Sequence, residues 1–501
     1  MELKDLFYKW VPVWVKVPAL FILFFVVLTA NGIYLGNSVW MYSGMGVYSE
    51  PFTEAYNAVY IGMGIGLLFE WRIKLRFSSR ASLLWGFSIM LLVNIVNMKT
   101  DNPALMVIGC LILGFAKIPA LIEIYIIWLA IWSKKLDTRR LYPFVYLVAL
   151  GGVYFITYLT AQFAEWYNWR YAYILMIMLI LLCLLLVLIF VQHNPLRRPM
   201  PLYQMDVFGG MLLTALLLLL NYVAVYGRTE DWWESDSIAA AMVGIPTVFL
   251  AFVLRELLVK RPIIPFSIFC NPSFLKGLLF FFLLGIFLPS SIQGAFTAGV
   301  LDFENIRNAE LNLYLIPGVL AAAVLSYSWY YFGWNTELLL FAGVAAFAAY
   351  YFLLYTHLAN GLGMEAFWPM SVLKGFGTTT MYVAIGLFTT STFKLNTVMK
   401  AAGVMILSRS FLGTGILSGV YSYLLYAGRV RHLDLLAGSH DADAGFAGRP
   451  VDYYRTLQAQ AAMAASKELC GYIVIIGVII LVAILFSHFY RLAFNKRRIL
   501  N

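Results

Sequence analysis

Apolar residues fall in blocks about as long as a bilayer crossing along almost the whole chain, and polar residues collect between the blocks. A helix needs roughly 20 residues to span hydrocarbon. On that measure the pattern predicts fourteen spans, at 18–40, 54–70, 82–98, 104–132, 142–164, 171–192, 206–226, 238–258, 274–295, 311–333, 337–356, 367–390, 401–427 and 470–490. Backbone groups in lipid must be satisfied within their own segment, so the pattern predicts an all-α membrane protein.

The loops give a second reading, because cytoplasmic loops are enriched in Lys and Arg. Lys4, Lys9 and Lys16 precede the first span, Arg72, Lys74, Arg76 and Arg80 follow the second, and Lys134, Lys135, Arg139 and Arg140 follow the fourth. Arg197 and Arg198 follow the sixth, Arg255, Lys260, Arg261 and Lys276 lie after the eighth, and Arg491, Lys496, Arg497 and Arg498 close the chain. Alternate loops carry acids instead: Glu50, Glu165, Glu230, Asp231, Glu234, Asp236, Asp302, Glu304 and Glu310. Both termini are therefore expected in the cytoplasm. The turn from Gly333 to Glu337 should also be inside yet holds no Lys or Arg.

Composition narrows the class further, since 62% of residues are hydrophobic and only 12% charged, which excludes a soluble globular domain. The net charge of +10 is mostly orientation signal, so no nucleic-acid partner is expected. The start MELKDLFYKWVPVWVKVP shows no small-residue cleavage site before the next loop, and Trp10 and Trp14 suit an interfacial anchor. Cys110, Cys183, Cys270 and Cys470 have no metal-ligand or disulfide spacing, and His193, His357, His432, His440 and His488 are scattered. No metal, cofactor or enzyme chemistry is expected, which leaves transport across the cell membrane as the default use of so large a bundle.

Three motifs lie in order between Asp206 and Phe274. They are Asp206-Val-Phe-Gly209, then Gly227-Arg-Thr-Glu-Asp231-Trp232, then Glu256-Leu-Leu-Val-Lys-Arg-Pro262-Ile-Ile-Pro-Phe-Ser267-Ile-Phe269. In sequence and spacing this stretch resembles the fourteen-helix drug:proton antiporter branch of the major facilitator superfamily, the EmrB/QacA type. Asn168-Trp169-Arg170-Tyr171 and Arg409-Ser-Phe-Leu-Gly413-Thr414 are looser matches to the same group. The resemblance implies a major facilitator fold with two six-helix bundles and two inserted helices. The expected division is 1–200 for the first bundle, 201–262 for the inserted spans, and 263–501 for the second bundle with an outside loop at about 428–468. In that reading Asp206, Gly209, Gly227, Asp231, Trp232, Glu256, Pro262 and Phe269 are structural signature residues.

The resemblance also implies export of hydrophobic or amphipathic small molecules by proton antiport, with the proton gradient as energy source. In a Gram-negative cell it implies the inner membrane, with a periplasmic adaptor and an outer-membrane channel as partners beside substrate and lipid. Two other readings stay open: a carrier for one specific lipid-like or metabolite substrate without drug:proton antiport, and a non-transporting membrane scaffold or sensor.

The motifs nearest the chemistry depart from the family pattern. Between spans two and three the family's charged loop becomes Gly66-Leu-Leu-Phe-Glu70-Trp71-Arg72-Ile73-Lys74, in which Gly66 and Glu70 with Arg72 or Lys74 form a candidate cytoplasmic gate. Span one holds Leu28-Thr-Ala-Asn31-Gly32 with no acid where the family carries an Asp, and span five lacks the antiporter glycine pair in register.

Span four carries Lys117 and Glu123 inside an apolar run, where a charge is costly and should face a cavity or a partner. Six residues turn a helix by about 240° net, so the two do not share a face and each needs its own partner. Glu123, Lys117 and Arg409 are the proton-coupling candidates. Asn31, Tyr56, Tyr60, Tyr125, Tyr327 and Lys374 are the substrate-cavity candidates, although Lys374 sits where snorkelling to the interface is the competing role. The rings would supply an adaptable apolar lining.

Overall fold

Helices occupy each of the fourteen predicted segments. The computed structural model describes the backbone of residues 6–132, 138–193, 200–289, 291–359, 361–390, 393, 395–440 and 450–500. Lys4, Lys134, Lys135, Arg197, Arg198, Asp441 and Asp443 lie outside the described residues, as do the side chains of Asp452 and of the last cations from Arg491 to Arg498.

The helices are α1 (Val13–Thr29), α2 (Glu50–Lys74), α3 (Ser79–Lys99), α4 (Pro103–Trp132), α5 (Thr138–Trp166), α6 (Trp169–Phe190), α7 (Val207–Tyr226) and α8 (Asp236–Leu258). There follow α9 (Pro272–Phe287), α10 (Ile316–Tyr331), α11 (Thr336–His357), α12 (Phe367–Thr390), α13 (Thr397–Gly438) and α14 (Pro450–Leu500). Eleven helical segments among the described residues are long and apolar enough to cross a membrane. The segments outside that set have physical reasons for it. Helix α1 has 17 residues, α2 carries Glu54, Glu70, Arg72 and Lys74, and α12 carries Lys374 and a run of threonines. The chain is a multi-pass membrane protein.

Two predicted spans are broken rather than continuous. The first stops at Thr29 and resumes as Gly32–Gly36 and Ser38–Met45. Asn31 and Asn37 stand at the interruptions, and such residues offer the backbone alternatives to the helical ladder. The ninth passes from α9 to a second piece, Ser291–Gly299. Two other helices widen into π-turns, Leu147–Gly151 in α5 and Leu407–Ile416 in α13.

In place of the soluble loop expected at 428–468, helix continues to His440 and begins again at Pro450. The Ala-rich run there is a strong helix former. It packs closely, because a Cβ on Gly428 would lie 3.1 Å from the Ala465 Cβ. Glu468 accepts hydrogen bonds from Arg431, from His432 Nε2 at 3.0 Å and from the Tyr472 hydroxyl at 2.9 Å.

The chain divides into two compact units, one of residues 1–283 with 386–416 and the other of residues 284–385 with 417–501. Each contains a helix pair locked by reciprocal glycines. In the first, a Cβ on Gly62 of α2 would lie 2.1 Å from the Leu111 carbonyl of α4, and one on Gly114 of α4 would lie 2.0 Å from the Val59 carbonyl of α2. In the second, a Cβ on Gly318 of α10 would lie 2.0 Å from the Val372 carbonyl, and one on Gly375 of α12 would lie 2.2 Å from the Leu315 carbonyl. Each glycine meets the backbone at the corresponding position of its partner helix, so α2 and α4 repeat as α10 and α12. A side chain at any of the four would push backbone against backbone, which small residues at helix contacts exist to avoid.

Candidate functional site

The reciprocal glycines hold α2 and α4 close along their length, and Gly66 extends the contact to Ile118, where a Cβ would lie 3.1 Å away. The last turn of α2 therefore runs beside the middle of α4. Lys74 Nζ reaches Glu123 Oε1 at 2.8 Å, with the glutamate side chain 2% and the lysine 16% exposed. Glu70, one turn before Lys74, is fully buried, and neither of its carboxylate oxygens has a hydrogen-bond partner among the described residues. Glu123 Oε2 has none either. Two carboxyl groups thus sit with a single ammonium. Arg72, the other cation expected beside Glu70, turns away and donates to the Pro201 carbonyl at 3.3 Å and to Gln204 at 3.2 Å.

Lys117 has a different partner, as the helical geometry requires. Its Nζ donates to Asn31 Oδ1 at 3.2 Å, and Asn31 Nδ2 donates to the Tyr60 hydroxyl at 3.1 Å. The Tyr60 and Tyr56 hydroxyls are 2.7 Å apart. The break after α1 is what frees Asn31 to bridge α4 and α2. Arg409, on the π-helical turn of α13, donates to the Tyr146 hydroxyl, and its guanidinium lies 5.6 Å from the centre of that ring. Its charge also acts on the Tyr60 hydroxyl, and Tyr125 neighbours Tyr142 and Tyr146. Gly64 and Gly403 bring α13 onto α2, since a Cβ on Gly403 would lie 2.9 Å from the Gly64 carbonyl. Unit one therefore contains a cationic, tyrosine-rich core built on Lys117 and Arg409.

In unit two Lys374 is 7% exposed and its Nζ lies 5.3 Å from the centre of the Tyr350 ring. It is buried under an aromatic face rather than extended to an interface. The Tyr350 hydroxyl donates to Gln293 Oε1 at 2.9 Å. Tyr327, by contrast, is 37% exposed on α10. Sequence reasoning missed Lys74 as the partner of Glu123, because a cation at a span end reads as orientation signal. It also missed Tyr146 and Tyr350, which carry no local mark beyond being aromatic.

The signature residues fall in two groups, one about the start of α7 and the end of α8 and the other in the turn between them. Asp206 caps α7 by accepting from the Gly209 N–H at 3.0 Å, and Arg255 Nη2 reaches the same carboxylate oxygen at 2.9 Å. Glu256 accepts from the Ile263 and Ile264 N–H groups at 3.2 and 3.0 Å, which folds the chain back at Pro262. Lys400 Nζ donates to the Pro262 carbonyl at 2.7 Å. Asp231 and Trp232 have positive φ of 53° and 54°. Trp232 donates its N–H to the Gly227 carbonyl at 2.8 Å, and a Cβ on Gly227 would lie 2.7 Å from the Trp232 ring. Phe269 packs edge-on against Phe274 at 5.9 Å.

Solved structures of similar shape include tetrameric PepTSo2, at 14% identity and a TM-score of 0.58, covering 97% of this chain and 100% of that one. The nucleoside transporter NupG matches at 13% identity and a TM-score of 0.53, covering 93% and 98%. The chain has the major facilitator fold. The human organic anion transporter MFSD10 (TETRAN) is similar to this fold at 12% identity and a TM-score of 0.54, covering 93% and 98%. No family model and no curated protein matches the sequence.

Proposed function

We propose that this protein is a secondary active transporter of fourteen crossings that exports hydrophobic or amphipathic small molecules by proton antiport. The observation that carries the reading is the buried set of Glu70, Glu123 and Lys74 on α2 and α4. A carboxylate kept from water without a partner costs several kcal/mol, so one ammonium stabilises one charged carboxylate and the other carboxyl is favoured with a proton. A proton leaving this set uncovers a buried charge, and the cost is relieved when the helices rearrange to admit water. Such a group makes proton binding and helix position depend on each other, which is what coupling requires.

The major facilitator fold supports alternating access as the movement. The carrier for one specific metabolite remains the second reading, favoured by the Lys117–Asn31 contact in place of an acid on the first span.

The test is flux in proteoliposomes with an imposed pH gradient, using lipophilic cations, neutral compounds and acids as substrates. Wild type is expected to accumulate at least one class against its gradient, whereas Glu70→Gln and Glu123→Gln retain exchange but lose the response to pH. Gradient-independent transport by the wild type, or full coupling in both variants, overturns the proton role.

A further inference from the structure

We infer that the cationic core of unit one is a binding site for the acidic group of an organic anion, so that the substrate is an anionic amphiphile. The inference rests on the transporter reading above and names its substrate class.

Lys117 is 1% exposed, and its one hydrogen bond among the described residues goes to an uncharged amide. An ammonium carries three donors, so two of them are unfilled. An ion pair would be expected for a charge in the middle of a hydrophobic helix, yet among the described residues none includes Lys117.

The buried acids of the same unit are engaged elsewhere. Glu123 pairs with Lys74, Asp206 holds Arg255, and Glu256 holds two backbone N–H groups, while Glu70 lies one turn from Lys74 on α2. Glu123 also lies on another face of α4. What surrounds Lys117 is polar but uncharged: Asn31, whose carbonyl oxygen accepts from it and whose amide donates to Tyr60, then the half-buried hydroxyls of Tyr60 and Tyr56, with the Arg409 guanidinium acting on the same tyrosine.

This arrangement fits a carboxylate or sulfonate, which accepts from ammonium and hydroxyl donors together and forms the stronger, charge-assisted kind of bond. It repels a cation. The tyrosine rings supply apolar faces for the rest of the molecule.

Unit two repeats the chemistry independently. Counted from the reciprocal glycines, Lys374 stands in register with Leu113, one turn before Lys117 on the same side of the corresponding helix. It too forms no ion pair among the described residues and rests only on an aromatic ring. A buried lysine without an acid, placed on one helix face in both units, is a pattern that helix packing does not require.

The test uses the purified full chain in maltoside detergent and three probes sharing one ring system: 2-naphthoate, 2-naphthamide and 2-naphthylmethylammonium, titrated by calorimetry. Naphthoate is expected to bind about tenfold or more tighter than the amide, and the ammonium least, as a charged hydrogen bond in a desolvated site should discriminate. Lys117→Gln should abolish the preference for naphthoate over the amide. Asn31→Asp, which gives Lys117 an internal carboxylate at nearly constant volume, should weaken naphthoate by about tenfold while leaving the amide unchanged. The second variant decides the matter if the first does not fold.

Equal affinity for the three probes, preference for the ammonium, binding of none of them, or an anion preference that survives Asn31→Asp overturns the inference. No gradient is present in this measurement. Failure of the coupling variants therefore leaves an anion preference standing, and failure of the anion preference leaves gradient-driven flux standing.

Discussion

Helices α2 and α4 and helices α10 and α12 are two solutions to one packing problem, and they differ in what they bury. Both pairs cross on reciprocal glycines that place each helix's backbone against the other's carbonyl oxygens. Carrying the register outward, Gly66 corresponds to Ala322, Glu70 to Ser326 and Glu123 to Ala384, and all three positions in the second pair are fully buried. The second pair therefore packs as tightly with alanine and serine where the first carries two carboxyl groups. Close packing does not need those charges. Since buried ionic groups are weak stabilisers at best, their presence in only one copy is not explained by the packing of the pair.

The largest expected effect comes from removing the single cation of the charged copy. Lys74→Met leaves Glu123 and Glu70 buried with no ammonium, which should cost about 3–5 kcal/mol of stability. Adding Glu123→Gln should recover most of the loss, so a double-mutant cycle read by thermal unfolding in detergent reports the coupling directly. Additive losses would mean that the ion pair contributes nothing, and the contrast between the two helix pairs would lose its physical basis.

A smaller effect tests whether the pairs are equivalent at all. Gly114→Val and Gly375→Val each insert a branched side chain where a Cβ would already lie 2.0 or 2.2 Å from a carbonyl oxygen. Overpacking of this kind costs about 1–3 kcal/mol, and the two losses should be similar. A loss confined to one unit would break the correspondence on which the register rests.

The sequence made the helices legible because apolar blocks of bilayer length have few other solutions, and each block contains helix, eleven helical segments among the described residues being long and apolar enough to cross a membrane. It made Lys117, Glu123 and Arg409 conspicuous for the same reason, since a charge in such a block stands out. Their partners were not legible. Lys74 looks like any loop cation until α2 is seen to carry it to the middle of α4. The contact of Asn31 with Lys117 depends on a break after Thr29 that hydropathy smooths over.

The broad periodicity of the 428–468 stretch failed in the other direction. Its polar residues suggested a loop with only the tail helical, whereas alanines at the helix contact and the Glu468 network accompany helix up to His440 and again from Pro450. Pairing between elements far apart in sequence is a tertiary property, and one chain without a repeat signal gives no purchase on it. The reciprocal glycines are such a signal, but Gly62 and Gly114 resemble any other glycines until their helices are placed together.

The smallest expected effect discriminates most finely between the copies. Glu70 and Ser326 are register equivalents, both fully buried, and both have side-chain oxygens without a hydrogen-bond partner among the described residues. Ser326→Ala removes one unsatisfied hydroxyl and should change stability by no more than about 1 kcal/mol, with a gain as acceptable as a loss. Glu70→Gln keeps the shape of the side chain and removes its ability to hold or release a proton, so its stability should also move by about 1 kcal/mol or less. The two substitutions should part company in transport: Ser326→Ala keeps the response to an imposed pH gradient and Glu70→Gln loses it. If both variants stay coupled, Glu70 is as passive as its counterpart, and the proton must be held by Glu123 with Lys74 alone. If both lose coupling, the response follows the integrity of a helix pair rather than the chemistry of a carboxyl group, and burying two acids in one copy has some other cause.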